Sequence, residues 1–251
     1  MHGSVSSCSN SRLDVTSAEE RSALGAVGIN SMKALIFDLD GTLIDSVYPH
    51  TLAWQQTLNE ADLTVPAWEI QRHIGISGKL LVRTVARARG RSFGEAAIGQ
   101  LEARHDALYK TYEPLQLPLP GAIDLLRFLA QHEVAYGIAT SGRRSEVQGS
   151  LDALEVGSHT VVICGDSGNP KPEPDLFVTC QQQLEVPRQD CLVVGDSVWD
   201  IHSARRARIL AVGVLTGGFG EQELYNAGAM RVYRDAGALL AGIDELGLEL
   251  D

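Results

Sequence analysis

Short runs of apolar residues recur along the chain and are typical of β-strands that are buried on both faces. Segments with apolar residues at three- and four-residue spacing, typical of amphipathic helices, separate the later runs. This alternation of strand and helix predicts a parallel sheet with helices on both faces. The predicted strands cover residues 33–38, 134–140, 160–164, 191–196 and 209–214, and the helices between the later ones centre on residues 145–154, 175–184 and 201–207.

A block of purely helical pattern interrupts this alternation after the first strand. Apolar residues at helical spacing run through residues 50–63, 77–90 and 93–113, with no strand pattern among them. The proline- and glycine-rich segment PLQLPLPG closes the block, as expected of a linker. The pattern therefore predicts a Rossmann-like α/β core formed by residues 32–45 and 118–251, with a small all-helical cap domain of residues 46–117 inserted after the first strand.

The first 31 residues show neither pattern. They are rich in serine, glycine and asparagine, and they lack the basic start and continuous apolar segment of a signal peptide. We interpret residues 1–31 as a disordered tail, and Met32, directly before the first strand, is a candidate natural start. The alternative is that this segment folds onto the core.

Composition and charge exclude several classes of partner. The chain has 251 residues, a formal net charge of −11 and 44% hydrophobic residues, which is ordinary for a globular protein. The acidic balance argues against a nucleic-acid partner, and no apolar run approaches the roughly 20 residues that span a bilayer. The four cysteines show no metal-binding spacing, so we expect reduced thiols in a cytoplasmic protein. The net charge does not exclude a local cationic pocket that binds a small anion.

Polar residues stand where the predicted strands end, which is the edge at which open parallel sheets bind ligands. Asp38 and Asp40 follow the first strand. Residues two apart in an extended chain point the same way, roughly 6.5 Å apart along the chain, so both carboxylates share one small space. The same edge is predicted to receive Thr140, Ser141, Lys171 and Asp196.

A cluster of carboxylates indicates a hard cation, and we expect Mg²⁺ because it prefers oxygen ligands and is often completed by a substrate phosphate. Lys171, the hydroxyl of Thr140 and the backbone amides of Ser141 and Gly142, predicted to open a helix, suit a phosphate dianion. A cation that keeps Asp38 ionised would allow its carboxylate to attack phosphorus. Asp40 could then carry the proton that the leaving oxygen needs.

Four motifs in this order, DLDGT, ATSG, KPEPD and GDSVWD, resemble those of the haloacid-dehalogenase-like (HAD) superfamily. The helical insertion after the first motif is similar to the small cap of the subgroup that contains phosphoglycolate phosphatase, sugar-phosphate phosphatases and β-phosphoglucomutase. The resemblance implies that Asp38 is the nucleophile and forms an aspartyl-phosphate. It implies that Asp40 is the general acid and base, with its backbone carbonyl on Mg²⁺.

The same resemblance implies further roles. Thr140 and Lys171 bind the transferring phosphoryl group, with Ser141 beside them. Asp196 is a metal ligand together with Asp38, and Asp200 supports the metal site. Dehalogenase and phosphonate-cleaving members lack an acid two residues after the nucleophile, whereas this chain has Asp40. The threonine of DGT is typical of phosphatase members.

Substrate specificity is expected to lie in the predicted cap. The segment GISGKLL resembles a phosphate-binding P-loop, but its glycine spacing is wrong and leucine stands where serine or threonine belongs. We interpret it as a specificity loop that faces the leaving group through Gly75, Ser77 and Lys79; the alternative is a plain turn between helices. Lys79 and Arg83 could meet an acid or a second phosphate of the substrate. His50 matches a position near the hinge of cap and core, although a helical histidine can also simply pack.

The function predicted is a Mg²⁺-dependent phosphatase of a small phosphorylated metabolite, such as a sugar phosphate or a phosphoglycolate-like ester. The alternative enzyme is a hexose-phosphate mutase of the β-phosphoglucomutase type, which uses the same aspartyl-phosphate. A third class is a phosphate-sensing binding module that has kept the fold. The intact pair of Asp38 and Asp40 argues against this last class, because binding needs neither residue.

Overall fold

The computed structural model describes residues 32–248, so the tail predicted at residues 1–31 lies outside the described residues. The strands are β1 (Ala34–Phe37), β2 (Ala135–Ala139), β3 (Val161–Ile163), β4 (Cys191–Gly195), β5 (Leu210–Val214) and β6 (Arg231–Tyr233). The α-helices are α1 (Val47–Glu60), α2 (Ala67–Gln71), α3 (Gly78–Arg87), α4 (Glu95–Tyr109), α5 (Ala122–Gln131), α6 (Arg144–Ala153), α7 (Asp175–Gln183), α8 (Val198–Ala207), α9 (Glu221–Ala227) and α10 (Ala236–Ala241). No helix among these residues is long and apolar enough to cross a membrane.

The strands form one parallel sheet in the order β3-β2-β1-β4-β5-β6. The central strand β1 pairs with β2 on one side and β4 on the other, where Phe37 lies opposite Ile138 and Val194. The chain adds β2 and β3 on one side of β1 and then returns to add β4 to β6 on the other. This reversal opens a crevice at the carboxyl ends of the central strands, where such sheets bind ligands.

Both faces of β1 are buried because successive side chains of a strand point to opposite sides. Leu35 and Phe37 pack against apolar residues of α5, α6 and α10, and Ala34 and Ile36 pack against those of α7, α8 and α9. Each fully buried large apolar side chain contributes roughly 1.5–3 kcal/mol. The predicted α/β class, with helices on both faces of a parallel sheet, is confirmed.

The predicted helical insertion is also present, because α1 to α4 and a short 3₁₀ helix, Lys110–Leu115, lie between β1 and β2. These helices bury a cluster of their own that includes Trp54, Leu58, Leu81 and Ile98. Its exact limits at residues 46 and 117 stay a prediction.

The strand β6 was not predicted from the sequence. It has three residues at the edge of the sheet, and Arg231 is exposed while Val232 and Tyr233 are only half-buried. So short a segment shows no periodicity that distinguishes it from a loop. It pairs in parallel with β5, where Val232 lies opposite Gly213.

Candidate active site

The turn after β1 places Asp38 at the centre of the crevice. The N–H of Asp38 donates to the carbonyl of Val194 at 2.9 Å, which continues the pairing with β4, and its side chain is buried. Gly41 follows with φ of +80°, a conformation that glycine adopts without strain. A Cβ there would lie 2.6 Å from Val47 and 2.7 Å from the carboxylate of Asp196. Glycine therefore permits both the turn and the approach of Asp196.

Lys171 is fully buried in the loop between β3 and α7. Its ammonium group contacts Oδ1 of Asp38 and lies 2.8 Å from Oδ1 of Asp200. Burial alone would lower the pKa of this lysine, but the two carboxylates outweigh it and raise that pKa above its ordinary value. Lys171 is thus charged, as a buried lysine is when it is paired on two sides.

Asp196 directly follows β4, and Asp200 lies in the first turn of α8. Oδ1 of Asp196 accepts a hydrogen bond from the hydroxyl of Thr42 at 2.9 Å. Its other oxygen lies against Gly217, where a Cβ would come within 1.7 Å. Oδ2 of Asp200 accepts from the N–H of Ser197 at 3.1 Å and from its hydroxyl, so this buried carboxylate also caps the helix. Both acids are thereby held in place by neighbouring groups.

Asp38, Asp196 and Asp200 form a compact acidic cluster, with one oxygen of each within 4.8 Å of the others. Lys171 is the cation in contact with it, so full ionisation leaves an excess of two negative charges. Burial raises the pKa of Asp38 to about 8, although Lys171 opposes the shift. Burial and the charges of the other two acids raise the pKa of Asp196 well above its ordinary value. The oxygen donors and the missing positive charge fit a bound Mg²⁺.

The carboxylate of Asp40 is turned away from the acidic cluster. Its Oδ1 accepts a hydrogen bond from the hydroxyl of Ser46 at 2.6 Å and lies 3.4 Å from Nε2 of His50, and its Oδ2 accepts from the hydroxyl of Thr140 at 3.3 Å. Burial would raise the pKa of Asp40, but the contacts with His50 and Ser46 outweigh it and lower that pKa to about 2. The two aspartates of DLDGT therefore occupy different electrostatic environments.

His50 begins a chain of polar contacts from Asp40 to the core loop after β2. Its Nδ1 lies 3.1 Å from Nε2 of His105, whose Nδ1 lies 3.1 Å from Oδ1 of Asp106. Asp106 in turn contacts the guanidinium group of Arg143. Sequence reasoning missed His105, Asp106 and Arg143, because nothing in their local pattern distinguishes them from the polar face of a helix or loop.

The residues predicted to bind phosphate lie beside this chain of contacts. Thr140 is buried at the end of β2 and its Oγ1 accepts from the N–H of Gly142 at 3.0 Å, while the hydroxyl of Ser141 donates to the carbonyl of Gly75 at 2.8 Å. The prediction that Ser141 and Gly142 open a helix is wrong. Ser141 and Gly142 form a bend, Arg143 is extended and its N–H donates to the carboxylate of Glu146, and α6 begins one residue later.

A cavity of about 590 Å³ lies between the helical insertion and the core and reaches Asp38 and Asp40. Gly75, Ser77 and Lys79 line it, as the specificity-loop interpretation requires. Ser77 also serves as the N-cap of α3, since its hydroxyl oxygen accepts from the N–H of Leu80 at 3.3 Å. The segment therefore forms both a turn between helices and a wall of the cavity, and its part in specificity stays a prediction.

Comparison with known proteins adds an independent observation. The family of haloacid dehalogenase-like hydrolases matches residues 35–214. The phosphoglycolate phosphatase of Rhodospirillum rubrum is 31% identical over 215 residues, covering 82% of this chain and 89% of that protein. The β-phosphoglucomutase of Bacillus subtilis is 29% identical over 188 residues, covering 73% and 83%. A hydrolase from Pseudomonas syringae of known structure shares 37% identity and a TM-score of 0.83, covering 85% of this chain and 99% of that one.

Proposed function

The chain belongs to the family of haloacid dehalogenase-like hydrolases, and on that premise we propose that this phosphatase depends on Mg²⁺ and hydrolyses a small phosphorylated metabolite through an aspartyl-phosphate on Asp38. The observation that carries the proposal is the acidic cluster beside the cavity, in which Asp38 is paired with the buried Lys171. The partner is a small phosphate ester. A cytoplasmic location and the lack of a nucleic-acid partner are also part of the proposal, and the acidic composition supports the second of these.

In the first step a carboxylate oxygen of Asp38 attacks phosphorus, the bond from phosphorus to the leaving oxygen breaks, and Asp40 gives that oxygen a proton. Lys171 and Thr140 orient the phosphoryl group. In the second step water attacks the phosphorus, Asp40 accepts a proton from it, and Asp38 is released. The contacts of Asp40 with His50 and Ser46 favour its ionised form, which suits the second step.

Asp38, Asp196 and the backbone carbonyl of Asp40 would hold the Mg²⁺, with Asp200 in support. The bound ion supplies positive charge that keeps Asp38 ionised and stabilises negative charge on the phosphoryl oxygens. Lys171 already supplies part of that charge, since it contacts Asp38 and lies 2.8 Å from Asp200. Phosphate-monoester hydrolysis needs such stabilisation because its uncatalysed rate is among the slowest known.

A hexose-phosphate mutase is the second candidate, because the β-phosphoglucomutase of Bacillus subtilis is among the relatives. A mutase must bind a bisphosphate intermediate, which calls for a second phosphate clamp in the helical insertion, preferably a free guanidinium group. Here Arg83 shares the carboxylate of Glu95 with Lys79. This pairing favours transfer of the phosphoryl group to water.

The test is an assay of phosphate release from p-nitrophenyl phosphate with and without Mg²⁺. Mg²⁺-dependent release is expected, and its absence would leave only a phosphate-binding module. In a second assay, β-glucose 1-phosphate with a trace of glucose 1,6-bisphosphate should not be converted efficiently to glucose 6-phosphate. Rapid isomerisation without phosphate release would instead identify a mutase.

A further inference from the structure

Both cations of the cavity wall formed by α3 are paired with a carboxylate. Lys79 and Arg83 both project from α3, and both contact Glu95 of α4. The ammonium group of Lys79 lies 2.5 Å from Oε2 of Glu95, and Arg83 contacts the other carboxylate oxygen, Oε1. One carboxylate thus neutralises half of the combined charge of the two cations, and a second anionic group would compete with it for both.

The remaining cation that lines the cavity among residues 32–248, Arg143, is engaged as well. Its guanidinium group contacts Asp106 of α4 and lies 2.6 Å from the carboxylate of Glu146. These three groups together are negative. A substrate carboxylate or second phosphate that approached Arg143 would be repelled by the two carboxylates already paired with it.

On the same side of the cavity, the carboxylate of Glu102 is a hydrogen-bond acceptor without a donor among residues 32–248. This residue is half-buried on α4 and lines the cavity, and its carboxylate has no hydrogen-bond or ion-pair partner among the described residues. It lies against the start of α3, since a Cβ added at Gly78 would be 3.1 Å from its Oε1. An unpaired carboxylate accepts hydrogen bonds from hydroxyl groups and repels a second anion.

We infer that the leaving group of the substrate is an uncharged polyhydroxyl group, a polyol or a sugar, rather than one that carries a carboxylate or a second phosphate. The inference rests on the proposed function, which places the phosphoryl group at Asp38 and the leaving group against α3 and α4. The hydroxyl groups would donate to Glu102, and they would leave the pairs of Lys79 and Arg83 with Glu95 intact.

The test compares kcat/KM of the full chain with Mg²⁺ for two groups of esters. Glycerol 3-phosphate and glucose 6-phosphate have uncharged leaving groups, whereas 2-phosphoglycolate and 3-phosphoglycerate have anionic ones. The uncharged group should be favoured at least about tenfold. Equal or better turnover of the anionic group would overturn the inference while phosphate release from p-nitrophenyl phosphate leaves the proposed function standing. Failure to hydrolyse p-nitrophenyl phosphate would overturn both.

Two variants test the residues that carry the inference. Glu95→Gln releases Lys79 and Arg83, so kcat/KM for 2-phosphoglycolate should rise about threefold or more while that for glycerol 3-phosphate changes little. Glu60→Gln is the matched control, because Glu60 pairs with Arg104 on the same insertion but does not line this cavity. Glu102→Gln should raise KM for glucose 6-phosphate about fivefold with little change in kcat. If Glu95→Gln left kcat/KM for 2-phosphoglycolate unchanged, or Glu102→Gln left KM for glucose 6-phosphate unchanged, the assignment of an uncharged leaving group would be contradicted.

Discussion

Lys171 shows how one side chain holds the site together. It is fully buried, and it joins Asp38, which follows β1, to Asp200 in the first turn of α8. Removing one partner of such a buried pair typically costs about 3–5 kcal/mol, because it leaves a charge without compensation. Substitutions at the acids should therefore leave Lys171 one of its two carboxylates and keep the shape of the side chain if they are to report on chemistry.

Asp38→Asn meets that condition. The amide has nearly the shape of the carboxylate but is a poor nucleophile, and Lys171 keeps its contact with Asp200. Turnover of p-nitrophenyl phosphate at saturating Mg²⁺ should fall at least about a hundredfold, with the melting temperature close to that of the wild type. The exposed Asp244→Asn is a control that should change neither quantity. A residual rate above about one hundredth would rule out Asp38 as the nucleophile.

Asp40→Asn should affect substrates unequally. The p-nitrophenolate ion leaves without a proton, whereas the alkoxide of glycerol 3-phosphate needs one. The loss of kcat/KM should therefore be at least about tenfold larger for glycerol 3-phosphate than for p-nitrophenyl phosphate. An equal loss for the two esters would mean that Asp40 acts through the metal or the fold.

At the scale of elements, the helix α4 contributes most to the leaving-group side of the cavity. Ile98, Glu102, His105 and Tyr109 recur at spacings of four and three and so share one face, which is apolar at some positions and polar at others. His105 is buried on this face, where its ring stacks on Trp54 with centroids 4.3 Å apart. Because a buried histidine is harder to protonate than an exposed one, it makes the stability of the folded chain depend on pH.

Burial lowers the pKa of His105 from 6.5 to about 4; the hydrogen bond with Asp106 opposes this shift, and the charges of His50 and Arg143 add to it. The unfolded chain therefore binds a proton at pH values where the folded chain does not. The stabilisation is complete above pH 6.5 and is lost as the pH falls towards 4, by roughly 3 kcal/mol at most. Denaturant unfolding at pH 7 and pH 5 should show a smaller difference in His105→Phe than in wild type. The exposed His159→Phe should retain the full difference.

The 3₁₀ turn Leu215–Gly217 after β5 also constrains the acidic cluster. A Cβ at Gly217 would lie 1.7 Å from Oδ2 of Asp196, so Gly217→Ala must displace the turn or the carboxylate. We expect the Mg²⁺ concentration for half-maximal activity to rise about tenfold or more. Gly99→Ala, where a Cβ meets nothing within 4 Å, is the control. An unchanged Mg²⁺ requirement would mean that Asp196 is not a ligand.

At the scale of the whole molecule, the helical insertion and the core meet through polar contacts around the cavity. The indole N–H of Trp199 donates to the carbonyl of Arg72 at 3.0 Å, and the amide of Gln71 donates to the carbonyl of Gly217 at 2.6 Å. The core residues in these contacts adjoin Asp200 and the turn against Asp196. Binding of Mg²⁺ at the acidic cluster should therefore increase the free energy of unfolding of the whole chain.

Mg²⁺ should raise the melting temperature of the wild-type chain. A ligand that binds only the folded state stabilises it by about 2.7 kcal/mol at a hundred times its dissociation constant. For a chain of this size that corresponds to a rise of roughly 5–10 °C. Thermal unfolding with EDTA and then with increasing Mg²⁺ measures the shift, and Asp196→Asn should reduce it strongly. A wild-type chain that melts at the same temperature in both conditions would contradict a Mg²⁺ site.

The sequence by itself determined the fold class and the composition of the acidic edge. Apolar runs such as Ala34–Phe37 are typical of strands covered on both faces, and their alternation with helices predicts a parallel sheet. In a parallel sheet the carboxyl ends of the strands share one edge, so Asp38, Thr140 and Asp196 could be predicted to lie together. The order and spacing of four motifs made the same prediction without any knowledge of packing.

Only the tertiary structure decided which partner each charged group of the cavity has. Asp106 contacts Arg143, Glu95 contacts Lys79 and Arg83, and Glu102 has no partner among residues 32–248. The sequence shows only that each of these side chains is charged. Local periodicity shows which face of a helix is apolar, but it does not show which residues another element brings opposite that face. The pairing of charges depends on distances of a few ångströms between segments that are far apart in the chain, and these are set when the helices pack against one another and against the sheet.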